Sequence, residues 1–143
     1  MFICDISVFN KYGKQKLDEL LSPQKLNWRE LVVLLVIERI PRITQARLNP
    51  FLQTDKANVT KLLQTMEKKG LIKRVSDGQD KRNKICTLTL AGMRLLPSMH
   101  EILIHWESAC FQGINNDELA SYRRINEKLT RNLLGDNIII MEY

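Results

Sequence analysis

At 143 residues and 44% apolar, the chain holds material for one domain with a core of its own. No run approaches the ~18 apolar residues that cross a bilayer, and the start, MFICDISVFNKYGK, has neither the basic region nor the small-residue cleavage site of a signal peptide. The net charge is +6, and residues 54–94 alone, with ten bases and four acids, carry a surplus of that size, so a polyanion meets one attractive region in the middle of the chain.

Taken in order, Phe2, Ile6, Phe9, Leu17 and Leu20 recur near one helical stripe over residues 2–21, with Leu21 beside it. Gly13 weakens that helix in its middle, and Ser22-Pro23 ends it. Asn27 with Glu30 three residues on has the spacing of a capping box that opens a helix from Trp28 to about Glu38. Pro41 closes it, and Ile43-Thr44 reads as a short extended piece ending in an N-cap. A helix from Thr44 to about Leu52 carries Pro50 in its second half and is expected to be short or distorted.

After a turn at Gln53 to Asp55, with Thr54 or Asp55 as N-cap, the next helix buries Val59, Leu62, Leu63 and Met66 and stops at a left-handed Gly70. Two helices joined by a short turn, the second basic on its exposed face, make a helix-turn-helix candidate. A hairpin follows, with strands Leu71–Ser76 and Lys84–Leu88 about a polar tip. Thr89 then caps a long helix to roughly Gln112, with Met93, Leu96, Met99, Leu103, Trp106 and Cys110 apolar and Pro97 expected to kink it. Asn115 or Asn116 caps a last helix, with Leu119, Tyr122, Ile125 and Leu129 inward, before the apolar tail NIIIMEY. Helix, basic hairpin, helix is the outline of a winged helix, and the fold class read here is mostly α with a small β-hairpin wing.

That outline points to double-stranded DNA. The exposed positions of the second helix, Thr54, Lys56, Ala57, Asn58, Thr60 and Lys61, would enter a major groove. Asn58 has the groups to pair with adenine, Lys61 to reach guanine or a phosphate, and Ala57 the size to approach a thymine methyl. Arg74, Lys81 and Lys84 read as phosphate partners, and Thr44 and Gln45 as contacts to the DNA backbone from the helix before the turn. For any one lysine, plain solvent exposure is the competing reading.

The chain resembles the MarR (multiple antibiotic resistance regulator) family of transcription regulators. The resemblance spans about Leu26 to Leu134, and its most specific piece is DGQDKRNKICTLTLAG. There Asp80 and Arg82 match the family's Asp-x-Arg wing pattern, and Leu88, Thr89 and Gly92 match its Leu-Thr-x-x-Gly. MEKKGLIKR matches the end of the recognition helix and the start of the wing. Pro50, Pro97 and Gln53, the last at a turn position often filled by glycine, depart from the family pattern. The resemblance implies that Arg82 reaches into a minor groove, with Asp80 orienting it or fixing the hairpin tip. It also implies a cytoplasmic homodimer on a pseudo-palindromic operator. Residues 1–26 and 93–143 would then supply the dimerisation helices and 27–92 the winged helix-turn-helix.

Other residues carry weaker readings. Three irregularly spaced cysteines fit reduced thiols. Some relatives sense organic hydroperoxides through a cysteine near the start of the first helix, where Cys4 stands; the plainer reading is a cysteine on an apolar face. Cys86 and Cys110 read as packed small hydrophobes. Tyr12, Trp28, Met99 and Trp106 would line a cavity for a small-molecule effector, or simply belong to the core. His100 and His105, five residues apart, point in directions unsuited to one metal. No cofactor, metal site or catalytic motif is read, so an enzyme is the weakest interpretation. The alternative of another class is a winged helix that grips an acidic protein partner.

Overall fold

The N-terminal stripe folds as helix, though not as one unbroken α-helix. In the computed structural model, which describes residues 1–76, 78 and 83–134, α1 (Phe2–Val8) and α2 (Lys14–Leu21) are separated by a π-helical turn over Phe9–Gly13. A wider turn shifts the register of everything before it. The expected common stripe therefore splits: Leu17 and Leu21 are buried, whereas Phe2, Ile6 and Phe9 are exposed, Phe9 to 70%. The chain divides into two units, Met1–Trp106 and Glu107–Tyr143.

In the first unit, a 3-10 turn over Ser22–Gln24 leads to Lys25 at φ 55° and then to α3 (Trp28–Arg39). Asn27 and Glu30 form the complete capping box that their spacing predicts. Leu31, Val33, Leu34, Val36 and Ile37 of α3 are all buried, so α3 is apolar round much of its circumference and sits at the centre of the core. Helix α4 (Gln45–Leu52) buries Leu48 and Leu52 and accommodates Pro50 within its eight residues.

The turn after α4 places Gln53 at φ 50°. That conformation suits glycine and costs other L-residues roughly 1–2 kcal/mol. Helix α5 (Lys56–Lys68) then starts from Asp55, whose side chain accepts the Asn58 amide. It buries Val59, Leu63 and Met66 at helical spacing, and Leu62 is half-buried. At its end the Gly70 amide donates to Glu67 O (2.9 Å) and the Leu71 amide to Met66 O (3.0 Å), with Gly70 at φ 72°. This pair of bonds is the Schellman motif that a left-handed glycine permits.

Strands β1 (Ile72–Ser76) and β2 (Lys84–Leu88) pair antiparallel, with Ile72 opposite Leu88 and Ser76 opposite Lys84. Thr44 bridges Ile85, and the Cys86 amide donates to Ile43 O at 2.8 Å, so the extended piece before α4 docks on the hairpin. Helix α6 (Leu90–Cys110) runs on through Pro97. Its Met99 is fully buried, but Met93 is exposed, as is Cys110 at its end. Those two residues thus correct the apolar face expected of this helix.

In the second unit, α7 (Asn116–Leu134) starts with a reciprocal cap in which Asn115 and Glu118 exchange side-chain and amide bonds. Phe111 and Tyr122 lie with ring centroids 5.5 Å apart. Within the chain the residues expected to point inward do so only partly: Leu119 and Leu129 are half-buried, while Tyr122 and Ile125 are exposed. The tail NIIIMEY lies outside the described residues.

The Leu-Thr-x-x-Gly sequence has a physical basis. The Thr89 hydroxyl donates to Gly70 O (2.6 Å) and accepts the Gly92 amide (3.0 Å), and the Thr89 amide donates to Leu71 O (3.1 Å). A Cβ at Gly92 would stand 2.2 Å from Leu71 O. The start of α6 can therefore lie against the end of α5 only if residue 92 has no side chain. Gly92→Ala is expected to destabilise the protein by about 1–3 kcal/mol, the usual cost of forcing atoms into a filled site, read as a lower urea midpoint at unchanged slope.

Candidate nucleic-acid interface

Helix α5 presents Lys56, Ala57, Asn58 and Lys61 to solvent. Asn58 is not poised to pair with adenine, because its Nδ2 donates to Asp55 Oδ2 at 2.8 Å while its backbone amide donates to Asp55 Oδ1, also at 2.8 Å. The carboxylate that caps the helix has drawn in the amide three residues on. Thr54 precedes this cap and is half-buried. Thr60 is turned inward as well: its hydroxyl donates to Lys56 O (3.0 Å) and accepts Gln45 Nε2 (3.0 Å).

Gln45 and Arg74, read from sequence as DNA contacts, are instead engaged with each other. Arg74 Nη1 donates to Gln45 Oε1 at 3.1 Å. Arg74 Nε and Nη2 donate to Glu67 Oε2 at 2.9 and 2.6 Å, and Glu67 Oε1 accepts the Arg74 backbone amide at 3.0 Å. The Arg74 side chain is only 5% exposed, so its assignment as a phosphate partner is corrected: burial and three acceptor bonds hold the guanidinium inside. Burial pushes the Glu67 carboxyl up, but the bonds and charge of Arg74 and the charge of Lys84 outweigh it and hold the group below its usual range. Thr44, half-buried, is the N-cap of α4 but makes no side-chain cap bond.

Lys69, though exposed, is also engaged within the fold. Its Nζ donates to Glu30 Oε1 (2.6 Å) and to Lys25 O (2.8 Å), and Glu30 is buried. Lys56, Lys61, Lys68, Lys73, Lys84 and Arg94 remain exposed. Asp80, Lys81 and Arg82, the residues of the wing tip, lie outside the described residues. Sequence reasoning passed over Glu67 as one acid in a basic region; its signal was an acid seven residues before Arg74, across the Gly70 turn.

The four residues proposed to line an effector cavity have separate roles. Met99 belongs to the buried core and Tyr12 is exposed. Trp106 Nε1 donates to Gly13 O at 2.9 Å. The Trp28 ring is covered by two cations, Lys14 Nζ 4.0 Å and the Arg29 guanidinium 4.6 Å from its centroid. Both cations also hold the turn before α5, since Lys14 donates to Gln53 Oε1 and Arg29 Nε to Leu52 O (2.9 Å). Burial, then the Arg29 charge, lowers the Lys14 pKa.

Cys4 and Cys110 are exposed, which corrects the packed reading of Cys110. His100 pairs with Glu38 at 2.9 Å, and among the described residues no cluster of potential ligands is suited to a metal ion. No helix of the described residues is long and apolar enough to cross a membrane.

Residues 26–84 match the family model described as MarR family, a span that covers α3, α4, α5, β1 and the first residue of β2. The chain is 25% identical to the multiple antibiotic resistance protein MarR of Escherichia coli over 138 residues, 96% of this chain and 83% of that one. Over residues 26–84 the chain is similar to the MarR family. A MarR transcriptional regulator from Methanosarcina mazei superimposes with a TM-score of 0.86 at 25% identity, covering 93% of this chain and 96% of that one. A mutant MarR from E. coli complexed with operator DNA does so with a TM-score of 0.76 at 25% identity, covering 87% and 89%. The described fold is thus a winged helix similar to those of solved MarR-family transcriptional regulators.

Cys86 sits opposite Arg74 in the hairpin register, fully buried, and burial pushes its thiol up to about 11. A buried neutral thiol is a poor nucleophile. In the native protein Cys86 is expected to resist iodoacetamide at pH 8 and to be alkylated once the protein is unfolded in urea, as read by peptide mass mapping.

Proposed function

We propose that the protein represses transcription as a cytoplasmic homodimer on a pseudo-palindromic operator, each chain reading one half-site. The observation that carries this is the exposed set Lys56, Ala57 and Lys61 at the start of α5, on the helix that leads directly into a hairpin with exposed Lys73 and Lys84. The N-terminal end of α5 enters the major groove, where Ala57 and Lys61 meet base edges or phosphates, and the hairpin lysines neutralise phosphates alongside. Arg82, from its match to the family wing, reaches the minor groove next to it, where a narrow A·T-rich groove attracts a guanidinium.

Two chains are needed because one helix and one wing cover a single half-site, and two-fold dimers read half-sites about 34–36 Å apart. Support for the dimer comes from apolar side chains left in solvent by the single chain: Phe2, Ile3 and Phe9 before α2, and Tyr122, Ile125 and Leu133 on α7. Each unit thus exposes large apolar side chains of its own, the kind of surface that marks an interaction site. The E. coli relative complexed with operator DNA supports the reading of duplex DNA. Release follows when a small ligand or an oxidant favours a spacing of the two reading heads that no longer fits the operator, which requires different affinity for the two states.

The test is selection of duplexes from a random-sequence pool at near-physiological salt. A two-fold motif with half-sites one helical turn apart is expected; binding with no enriched motif and little response to salt would instead favour an acidic protein partner. With the selected duplex, Lys61→Ala is expected to reduce the slope of log affinity against log salt by about one. An unchanged slope removes Lys61 from the phosphate contacts.

A further inference from the structure

We infer that Glu67, Arg74 and Gln45 are positioning residues: their shared bonds set the angle between strand β1 and recognition helix α5, and with it the sequence selectivity of the reading head. The inference rests on the proposed reading of duplex DNA by α5 and the hairpin.

The bonds form a closed path around α5. Glu67, in the last turns of that helix, takes two guanidinium N–H groups and the backbone amide of Arg74 in the middle of β1. Arg74 reaches on to Gln45, the first residue of α4. Gln45 donates to Thr60, which donates to Lys56 O in the first turn of α5. The recognition helix is therefore gripped near both ends, and the hairpin strand and α4 are gripped by the same guanidinium. A planar fork with fixed donor directions sets orientation as well as distance, which an ammonium cannot do.

The placement of an acid here is otherwise unfavourable. Glu67 is a negative charge in the chain's most basic region, and Coulomb's law alone makes it repel a polyanion. Its side chain is 32% exposed, whereas that of Arg74 is 5% exposed. The acid faces partly outward and the base inward, the reverse of a pair built to hold phosphate. For Arg74 to contact DNA it must abandon Glu67 and Gln45, the bonds that compensate its own burial.

The experiment compares full-length wild type, Glu67→Gln, Gln45→Ala and Arg74→Lys on two probes: the duplex that wild type enriches from the random pool, and a scrambled duplex of the same composition. Melting temperatures confirm that each variant is folded at the assay temperature, and Glu67→Gln and Gln45→Ala carry the test if Arg74→Lys does not fold. Glu67→Gln is expected to weaken binding to the selected duplex by about tenfold, within the range for groups sharing one network. Binding to the scrambled duplex stays within about twofold, and the salt slope is unchanged because no phosphate contact is lost. The double variant Glu67→Gln, Arg74→Lys is expected to lose no more selectivity than the worse single variant.

Glu67→Gln binding the selected duplex as tightly as wild type, or more tightly, overturns the inference, because simple charge repulsion then describes this acid. So does a folded Arg74→Lys that binds the selected duplex at wild-type affinity, because the forked geometry of the guanidinium then sets nothing. A wild type that enriches no motif overturns the DNA reading and this inference with it. A motif that every variant binds unchanged overturns the inference alone.

Discussion

The guanidinium of Arg74 is the point at which α4, α5 and β1 meet. Its three nitrogens donate to Glu67 and Gln45, and it is nearly excluded from water. Taking such a charge out of water costs several kcal/mol, and only well-made bonds compensate. The arrangement is therefore intolerant of partial loss: with one partner removed, a buried charge is left without compensation. An apolar contact at the same place would hold the elements together equally well, but would let them slide. A forked donor between a carboxylate and an amide permits one geometry, and a reading head needs one geometry.

Around this point the ends of α5 are fixed by local chemistry. Asp55 caps its start and the Gly70 Schellman turn closes its end. The turn before it is held from outside, where Lys14 and Arg29 lie on Trp28 and each reaches the turn, at Gln53 and Leu52. Gln53 adopts a backbone conformation that glycine would take without strain, and the bond from Lys14 gives its side chain a use there. Lys69, just past α5, is tied to Glu30, which also caps α3. Each polar tie runs from the recognition helix or its flanks to a different neighbour, so their constraints do not duplicate one another.

Much of the local structure was legible because it depends on residues close in sequence. The Asn27–Glu30 box, the left-handed Gly70, the strands at 72–76 and 84–88 and the buried spacing of Val59, Leu63 and Met66 all follow from short-range rules. The Thr89–Gly92 pair was visible as a family pattern, but its reason, the approach of Gly92 to Leu71 O, is a tertiary contact that spacing cannot reveal. The π turn over Phe9–Gly13 was hidden for a different reason: a helical periodicity assumes a constant number of residues per turn. Polar side chains in the candidate interface were the least legible. Asn58, Thr60, Gln45 and Arg74 are of types that suit a groove, and nothing in a linear sequence shows that partners within the fold already hold them.

That distinction changes what the charge of this chain means. Ten bases over residues 54–94 suggest a broad electrostatic grip on a polyanion. Two of them, Lys69 and Arg74, are ion-paired within the fold. A base that pairs internally releases no counterion when DNA binds, so it adds nothing to salt-dependent, sequence-independent affinity. What it adds is rigidity, which acts on the difference between a matching and a mismatched duplex. Internal pairing therefore shifts part of the charge from affinity to selectivity. A regulator gains from that shift, because it must find few sites among many and the ratio of specific to nonspecific binding decides occupancy.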